Sequence, residues 1–260
     1  MRPHPLLRLV CVAALSVSPV LNESNFSSAP GGEGGGFPFP ERLEYHVEWR
    51  LITAGNATLD LKPTSDGKWH TALNIQSAGV LSRLYRVLDV YNVRTDAKFC
   101  LANSELDAQE SKRHIISRIS LESAAKLRYE EKDLVKNTAT QKELDVPPCT
   151  REIAGALASL RLLHLEPGKS ATLPVTDGKK VVSVRIESQS RESITLEGKK
   201  YQTTRYEAFL FDNVLYRRKG RLFLWLTDDG DRIPVQIRLQ LGFPIGNVMI
   251  QLDKQERLPG

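Results

Sequence analysis

The amino-acid sequence predicts a mainly β protein: a strongly curved antiparallel sheet or open barrel with one main helix packed in its concavity. Three observations carry that expectation. From residue 41 onward, apolar side chains recur at every second position in segment after segment, the period of strands with one covered and one wet face. Glycine or Asp-Gly punctuates the junctions, at Asp66-Gly67, Asp177-Gly178, Gly198, Gly220, Gly242 and Gly246, as short antiparallel connections require. Only residues 150–168 depart from this to a persuasive helical period. One helix cannot cover so many strands held flat, whereas a sheet wrapped around it buries both.

The folded part starts near Glu41. In LEYHVEW, Leu43, Tyr45, Val47 and Trp49 point one way, and Glu44, His46 and Glu48 the other. NATLDLK continues the pattern through Ala57, Leu59 and Leu61. After the Asp66-Gly67 turn, WHTALNI alternates through Trp69, Thr71, Leu73 and Ile75. GVLSRLY (79–85) predicts a short helix or an irregular crossing, and RVLDVYNVRTD resumes strand character. HIISRISLES (114–123) places Ile115, Ile119 and Leu121 on one face, with AKLRYEEKD as its expected partner. The chain then loosens to VPPCT, where Pro147 and Pro148 exclude helix.

The helix follows. Thr150 is the expected N-cap, and Ile153, Ala156, Leu157, Leu160 and Leu163 fall on one stripe. Pro167-Gly168 stops it, and Leu162, off the stripe, points to a second surface. Seven further strands are expected: KSATLPV, KKVVSVRIES, ESITLEG, KYQTTRYEAFLF, GRLFLWLT, RIPVQIRLQL and NVMIQLDK. In GRLFLWLT both Leu222, Leu224, Leu226 and the alternating Phe223, Trp225 are apolar, so this strand is expected to be central.

Asp228, Asp229 and Asp231 crowd the turn after it. A calcium loop needs acidic ligands at alternate positions and a Glu six residues past its glycine. DDGDRIPVQIRL has neither. The expectation is a hairpin tip without a metal, with Gly230 supplying a positive φ and Pro234 at a strand start or edge.

Upstream, Arg2 and Arg8 precede the apolar LVCVAALSVSPVL, so residues 1–28 read as a signal peptide. Arg8-Leu9-Val10-Cys11 lacks the small residue expected before a lipid-modified cysteine. Residues 29–40 read as a Gly/Pro-rich linker, and 41–255 as a single β-rich domain. Export leaves Cys100 and Cys149, an even pair in an oxidising compartment, to form a disulfide or stay as two buried thiols. The net charge of +5, with basic and acidic residues interleaved as in YEEKDLVK, implies a solvated surface and no nucleic-acid partner.

Three segments together resemble a bacterial family, the domain of unknown function 3108. They are ERLEYHVEWRLITAGNATLDL, VPPCTREIAGALASLRLLHLEPG and GRLFLWLTDDGDRIPVQIRLQLGFPIGNVMIQL, in the family's order over roughly residues 40–253. The resemblance implies an exported protein, of the periplasm or outer envelope of a Gram-negative-type bacterium. It implies a curved antiparallel sheet around a helix and no assigned reaction.

Searching for chemistry yields little. His4, His46, His70, His114 and His164 share no metal-ligand spacing, and no nucleophile elbow or phosphate loop is present. No catalytic residue, metal or cofactor is expected; a pair such as Glu48 with His70 would need the fold to bring it together. The aromatic residues are the remaining lead. Tyr45, Trp49 and Trp69, with Leu157 of the helix, are the candidate lining of an apolar cavity, against core packing as the plainer reading. The leading functional expectation is therefore a non-catalytic envelope protein holding a lipid-like or other hydrophobic small molecule. The second is an assembly factor that pairs with another envelope protein through a sheet edge, and the third a hydrolase. The sequence does not fix an oligomeric state.

Overall fold

Fourteen strands form one antiparallel sheet in the computed structural model, which describes residues 36–243 and 245–259. Residues 1–28, read above as a signal peptide, and residues 29–35 of the expected linker lie outside the described residues. The first run is β1 (Glu41–Trp49), β2 (Ile52–Pro63), β3 (Trp69–Ser77), the short helix α1 (Gly79–Leu84) and β4 (Val87–Thr95). It continues with β5 (Leu101–Glu110), β6 (Arg113–Ser123), β7 (Lys126–Asp133) and β8 (Thr138–Asp145). The helix α2 (Ile153–Leu162) follows. The second run is β9 (Ser170–Thr176), β10 (Val181–Leu196), β11 (Lys199–Ala208), β12 (Gly220–Thr227), β13 (Pro234–Leu241) and β14 (Gly246–Arg257).

Each strand pairs with its neighbours in sequence, and β14 returns to pair with β1. The sheet therefore runs from β8 through β1 and β14 to β9, and these two ends do not pair with each other. It is an open barrel with a seam. The isolated bridge between Arg151 and Val175 covers part of β9, where Arg151 N donates to Pro174 O and Thr176 N to Arg151 O. β8 has no such cover, and seven of its eight residues are exposed.

Two strands escape the sequence reading. β5 turns Ser104 and Glu110 inward beside Leu106 and Ala108, so its apolar alternation is broken. β8 has one wet edge and almost no apolar side chain to alternate. β12 is central as expected, with Leu224 and Leu226 in the core around α2 and Phe223 and Trp225 on the opposite face. Arg221 covers the Phe223 ring at 4.6 Å, and Arg238 covers Trp225 at 4.9 Å.

The helix is shorter than expected and begins later. Its N-cap is Glu152, whose carboxylate accepts from Ala154 N at 2.8 Å and Gly155 N at 2.5 Å. Thr150, the expected cap, donates its hydroxyl to Pro147 O instead. Nor does α2 have one apolar stripe and one wet face. Ala154, Ala158, Ser159, Leu160 and Arg161 are all buried, because a helix inside a barrel meets protein on every side. Arg161 is accommodated by an ion pair with Glu41, by Asp231 O at 2.8 Å and by the Phe37 ring at 3.6 Å. Residues at the end of the expected linker thus lie against the barrel: Phe37 also stacks on Phe99 at 5.4 Å.

Cys100 and Cys149 are joined, tying the β4–β5 connection to the segment that leads into α2. The aspartate-rich turn is a hairpin tip. Asp229 Oδ1 accepts from Thr227 Oγ1 and from the backbone of Asp231 and Arg232. Asp228 accepts from Thr204, and Asp231 pairs with Arg257. The residue with positive φ there is Arg232, at 47°, and not Gly230. The close approach here belongs to Gly36, where a Cβ would stand 3.1 Å from Gly230 O, and Phe37 N donates to that same carbonyl.

Candidate functional site

In an up-and-down sheet the connections alternate between two ends. Those leaving even-numbered strands share an end with α2: Ser159 Oγ donates to Lys98 O in the β4–β5 connection, and Arg161 reaches Asp231 O in the β12–β13 turn. The helix plugs this end. Around it Leu43 is 0% exposed, Leu61 2% and Val235 0%. The other end holds the β11–β12 connection, whose Leu210, Phe211, Leu215 and Tyr216 are buried together with Leu239, Leu241 and Ile245. There Val47, Ile75, Tyr91, Ile237, Val248 and Ile250 face inward yet are only half-buried. They form neighbouring pairs across the strands: Val47 lies opposite Ile250, and Ile250 opposite Ile237. All belong to strands far from the seam, so their exposure comes from the mouth of the barrel. The result is an apolar inner wall that stays partly accessible at this end.

Carboxyl groups interrupt that wall, Asp89 on β4 and Glu110 on β5 beside it. Asp89 lies beside Ile75 across the β3–β4 ladder, is 2% exposed, and its Oδ1 has no hydrogen-bond partner. Burial, and then the nearby Glu110 charge, push its pKa up to about 7. Glu110 accepts a long bond from the Tyr85 hydroxyl at 3.4 Å and lies 4.0 Å from Arg113.

The four residues expected to line a cavity are placed unequally. Tyr45 is sealed in the core, its hydroxyl donating to Pro234 O at 3.0 Å, and burial raises its pKa. Trp69 and Trp49 both face inward but at opposite ends. Trp69 pairs with Thr95 at the plugged end and packs 6.1 Å from the Phe99 ring. Trp49 pairs with Val248 at the open end, its indole nitrogen donating to Ile245 O at 2.7 Å. They do not share one wall. Leu157 is half-buried and touches the core on both sides of the helix. Of the four, Trp49 stands beside Val248 at the open end. Val248 and Ile250 were visible in the alternation of NVMIQL. Asp89, set between inward-facing Val87 and Tyr91, was equally visible there, although no periodicity argument singles out a polar residue.

A second concavity, of about 680 Å³, is an open groove on the outer face. Its lining includes His70, Asn92, Arg94, Glu105, Arg118 and Arg128. None of the four expected residues lines it. Its charges are largely matched within it, Arg118 to Glu105 at 2.6 Å and Arg128 to Glu130 at 2.9 Å. Glu48 and His70 are not brought together: one ends β1 at the open end, the other begins β3 at the plugged end. Among the described residues no group of three or more His, Cys, Asp or Glu is placed to hold a metal ion.

A family model described as a protein of unknown function, DUF3108, matches residues 44–253. No protein of curated function matches the chain. Among solved structures the chain is similar to a beta-barrel-like protein of the domain of unknown function DUF1849 from Brucella abortus. The identity is 12% and the TM-score 0.57, over 85% of this chain and 99% of that one. It also matches a protein of YmcC-like fold from Bacteroides fragilis at 8% identity and a TM-score of 0.39, over 86% and 100% of the two chains.

Proposed function

The chain belongs to the DUF3108 family of proteins of unknown function, and on that footing we propose that it is an exported, non-catalytic carrier of a lipid-like or other hydrophobic ligand. The observation that carries this reading is the partly accessible apolar wall at the open end. Inward-facing Val47, Ile75, Val248 and Ile250 stay accessible while the other half is sealed around α2. Apolar surface left in contact with water is costly, at roughly 25 cal/mol per Å². A concave apolar wall with few polar groups is the common form of a small-molecule site. The signal segment supports export to the periplasm or outer envelope of a Gram-negative-type bacterium.

The test is native mass spectrometry of protein purified from its own host, followed by titration with a fluorescent fatty acid. We expect a retained lipid, and dye binding with a dissociation constant on the order of 1 μM. Ile75→Trp and Val248→Trp, which fill the open half, should each abolish dye binding while the circular dichroism stays that of the parent. If the protein carries no lipid and the dye does not bind, the carrier reading fails.

A second reading, the assembly factor, draws on β8, exposed along its length and paired on one side only. Such an edge can accept a further strand from a partner. Ala139→Pro, Gln141→Pro and Glu143→Pro, tested singly, distinguish the two. Loss of a partner captured from the envelope with dye binding intact favours the edge.

A further inference from the structure

The open end of the barrel carries nearly all the large apolar side chains that face solvent. Leu51 and Ile52 stand at the β1–β2 turn, Val80 and Leu84 on α1, and Phe243 in the β13–β14 turn, with a further pair in the β7–β8 turn. Phe243 is 96% exposed and Leu51 93%. Among the described residues, the one large exposed apolar side chain at the opposite end is Leu121. The apolar tips belong to one rim. Ala78 N donates to Ala54 O beside the β1–β2 turn, and the Trp49 indole to Ile245 O of the β13–β14 turn.

Charge divides the same way. The connections at the open end hold ten Lys or Arg and two Asp. Those at the plugged end, α2 included, hold six basic and eight acidic residues. Lys179 and Lys180 bond within the molecule, to Glu131 and Val214 O, and can be set aside without changing the sign. The sequence interleaves its charges, but the up-and-down topology sorts them.

We propose that the open end docks onto the surface of an anionic bilayer. Leu51, Val80, Leu84 and Phe243 enter the interface, and Arg83 and Arg86 meet the lipid phosphates. A flat, contiguous apolar patch would suit a protein partner. Here single apolar side chains protrude from separate turns amid basic residues, which suits a fluid, anionic surface. Docking is peripheral. The outward residues of β1 are Glu44, His46 and Glu48, whereas a membrane-spanning barrel needs an apolar outer band. Among the described residues no helix is long and apolar enough to cross a membrane. The proposal stands apart from the carrier reading, since a barrel can dock without holding a ligand.

The test is co-sedimentation of the full chain with phosphatidylcholine vesicles, with and without phosphatidylglycerol. Every variant keeps the same N-terminal segment, so differences between variants report the rim. We expect binding to the phosphatidylglycerol vesicles, lowered at least about tenfold in Leu51→Ser/Phe243→Ser. Arg83→Glu/Arg86→Glu should remove the preference for the anionic lipid. Leu121→Ser, which removes the exposed apolar residue at the other end, should bind like the parent. Circular dichroism checks that each variant is folded. The proposal is overturned if the rim variants bind as well as the parent, or if Leu121→Ser loses as much. It is also overturned if the rim drives self-association in sedimentation velocity without vesicle binding.

Discussion

Asp89 sits in an environment that disfavours its charged form. Its carboxyl is buried, and one oxygen lacks a donor. Because its pKa is raised to about 7 in the folded state, the folded protein binds a proton that the unfolded chain has released above about pH 4. Stability should therefore fall as pH rises from about 4 to 7, and stay low above that range. Asp89→Asn removes the titration. In urea unfolding it should be more stable than the parent at pH 8, by roughly 1–3 kcal/mol, and near parity at pH 5. Equal destabilisation at both pH values would show that the carboxylate has a partner the geometry does not reveal. Cys100 and Cys149 offer a plainer check. Thiol counting on denatured, unreduced protein should find neither of them free, and reduction should cost about 4 kcal/mol for a closed loop of this length. The cysteine pair was legible in the sequence because two thiols in a chain that reads as exported have few expected fates. Asp89 was not, since its burial depends on strands brought beside it from elsewhere in the chain.

At the scale of elements, the period of two made most strands legible, and its absence hid β5 and β8. An edge strand with nothing to cover needs no apolar face, so β8 leaves no such trace. The helix was legible as a helix but not in its surroundings. The sequence treats Leu157 and Leu160 as equal members of one stripe. In the barrel Leu160 is 2% exposed, while Leu157 is half-buried. Leu160→Asp should therefore be the more damaging change, costing more than about 4 kcal/mol and leaving little folded protein, because a charge there has no partner. Leu157→Asp should cost clearly less, since water can reach it. Asp229→Asn should change stability by less than about 1 kcal/mol, because the amide keeps the oxygen that accepts three hydrogen bonds in the turn. Chemical denaturation of the three variants gives the order, and a larger loss in Leu157→Asp than in Leu160→Asp would mean that the open half is packed.

For the whole molecule, the question is what holds a barrel shut when its end strands do not pair. The answer lies at the β9–β10 turn. Gly178, at φ 85°, packs on the Tyr129 ring of β7, and a Cβ there would stand 2.2 Å from a ring carbon. Lys179 bonds Glu131 at 2.9 Å, while Lys142 of β8 donates to Lys179 O at 2.6 Å. Beneath them Val181 packs against the cluster that holds Leu127, Tyr129 and Val146. Side chains thus span the seam where a ladder of backbone bonds would otherwise run. Such a closure has little redundancy, so its loss should be local before it is global. Gly178→Ala combines a left-handed backbone with a steric clash and should push the turn off Tyr129, at a cost of about 1–3 kcal/mol. Hydrogen exchange should then quicken in β7, β8 and β9, with β1 and β14 opposite the seam as protected as in the parent. Lys179→Met, which removes the ion pair and leaves the turn conformation alone, should produce a weaker version of the same pattern. Uniform acceleration around all fourteen strands would mean instead that the barrel opens as one unit, and that the seam is no weaker than the ladders beside it.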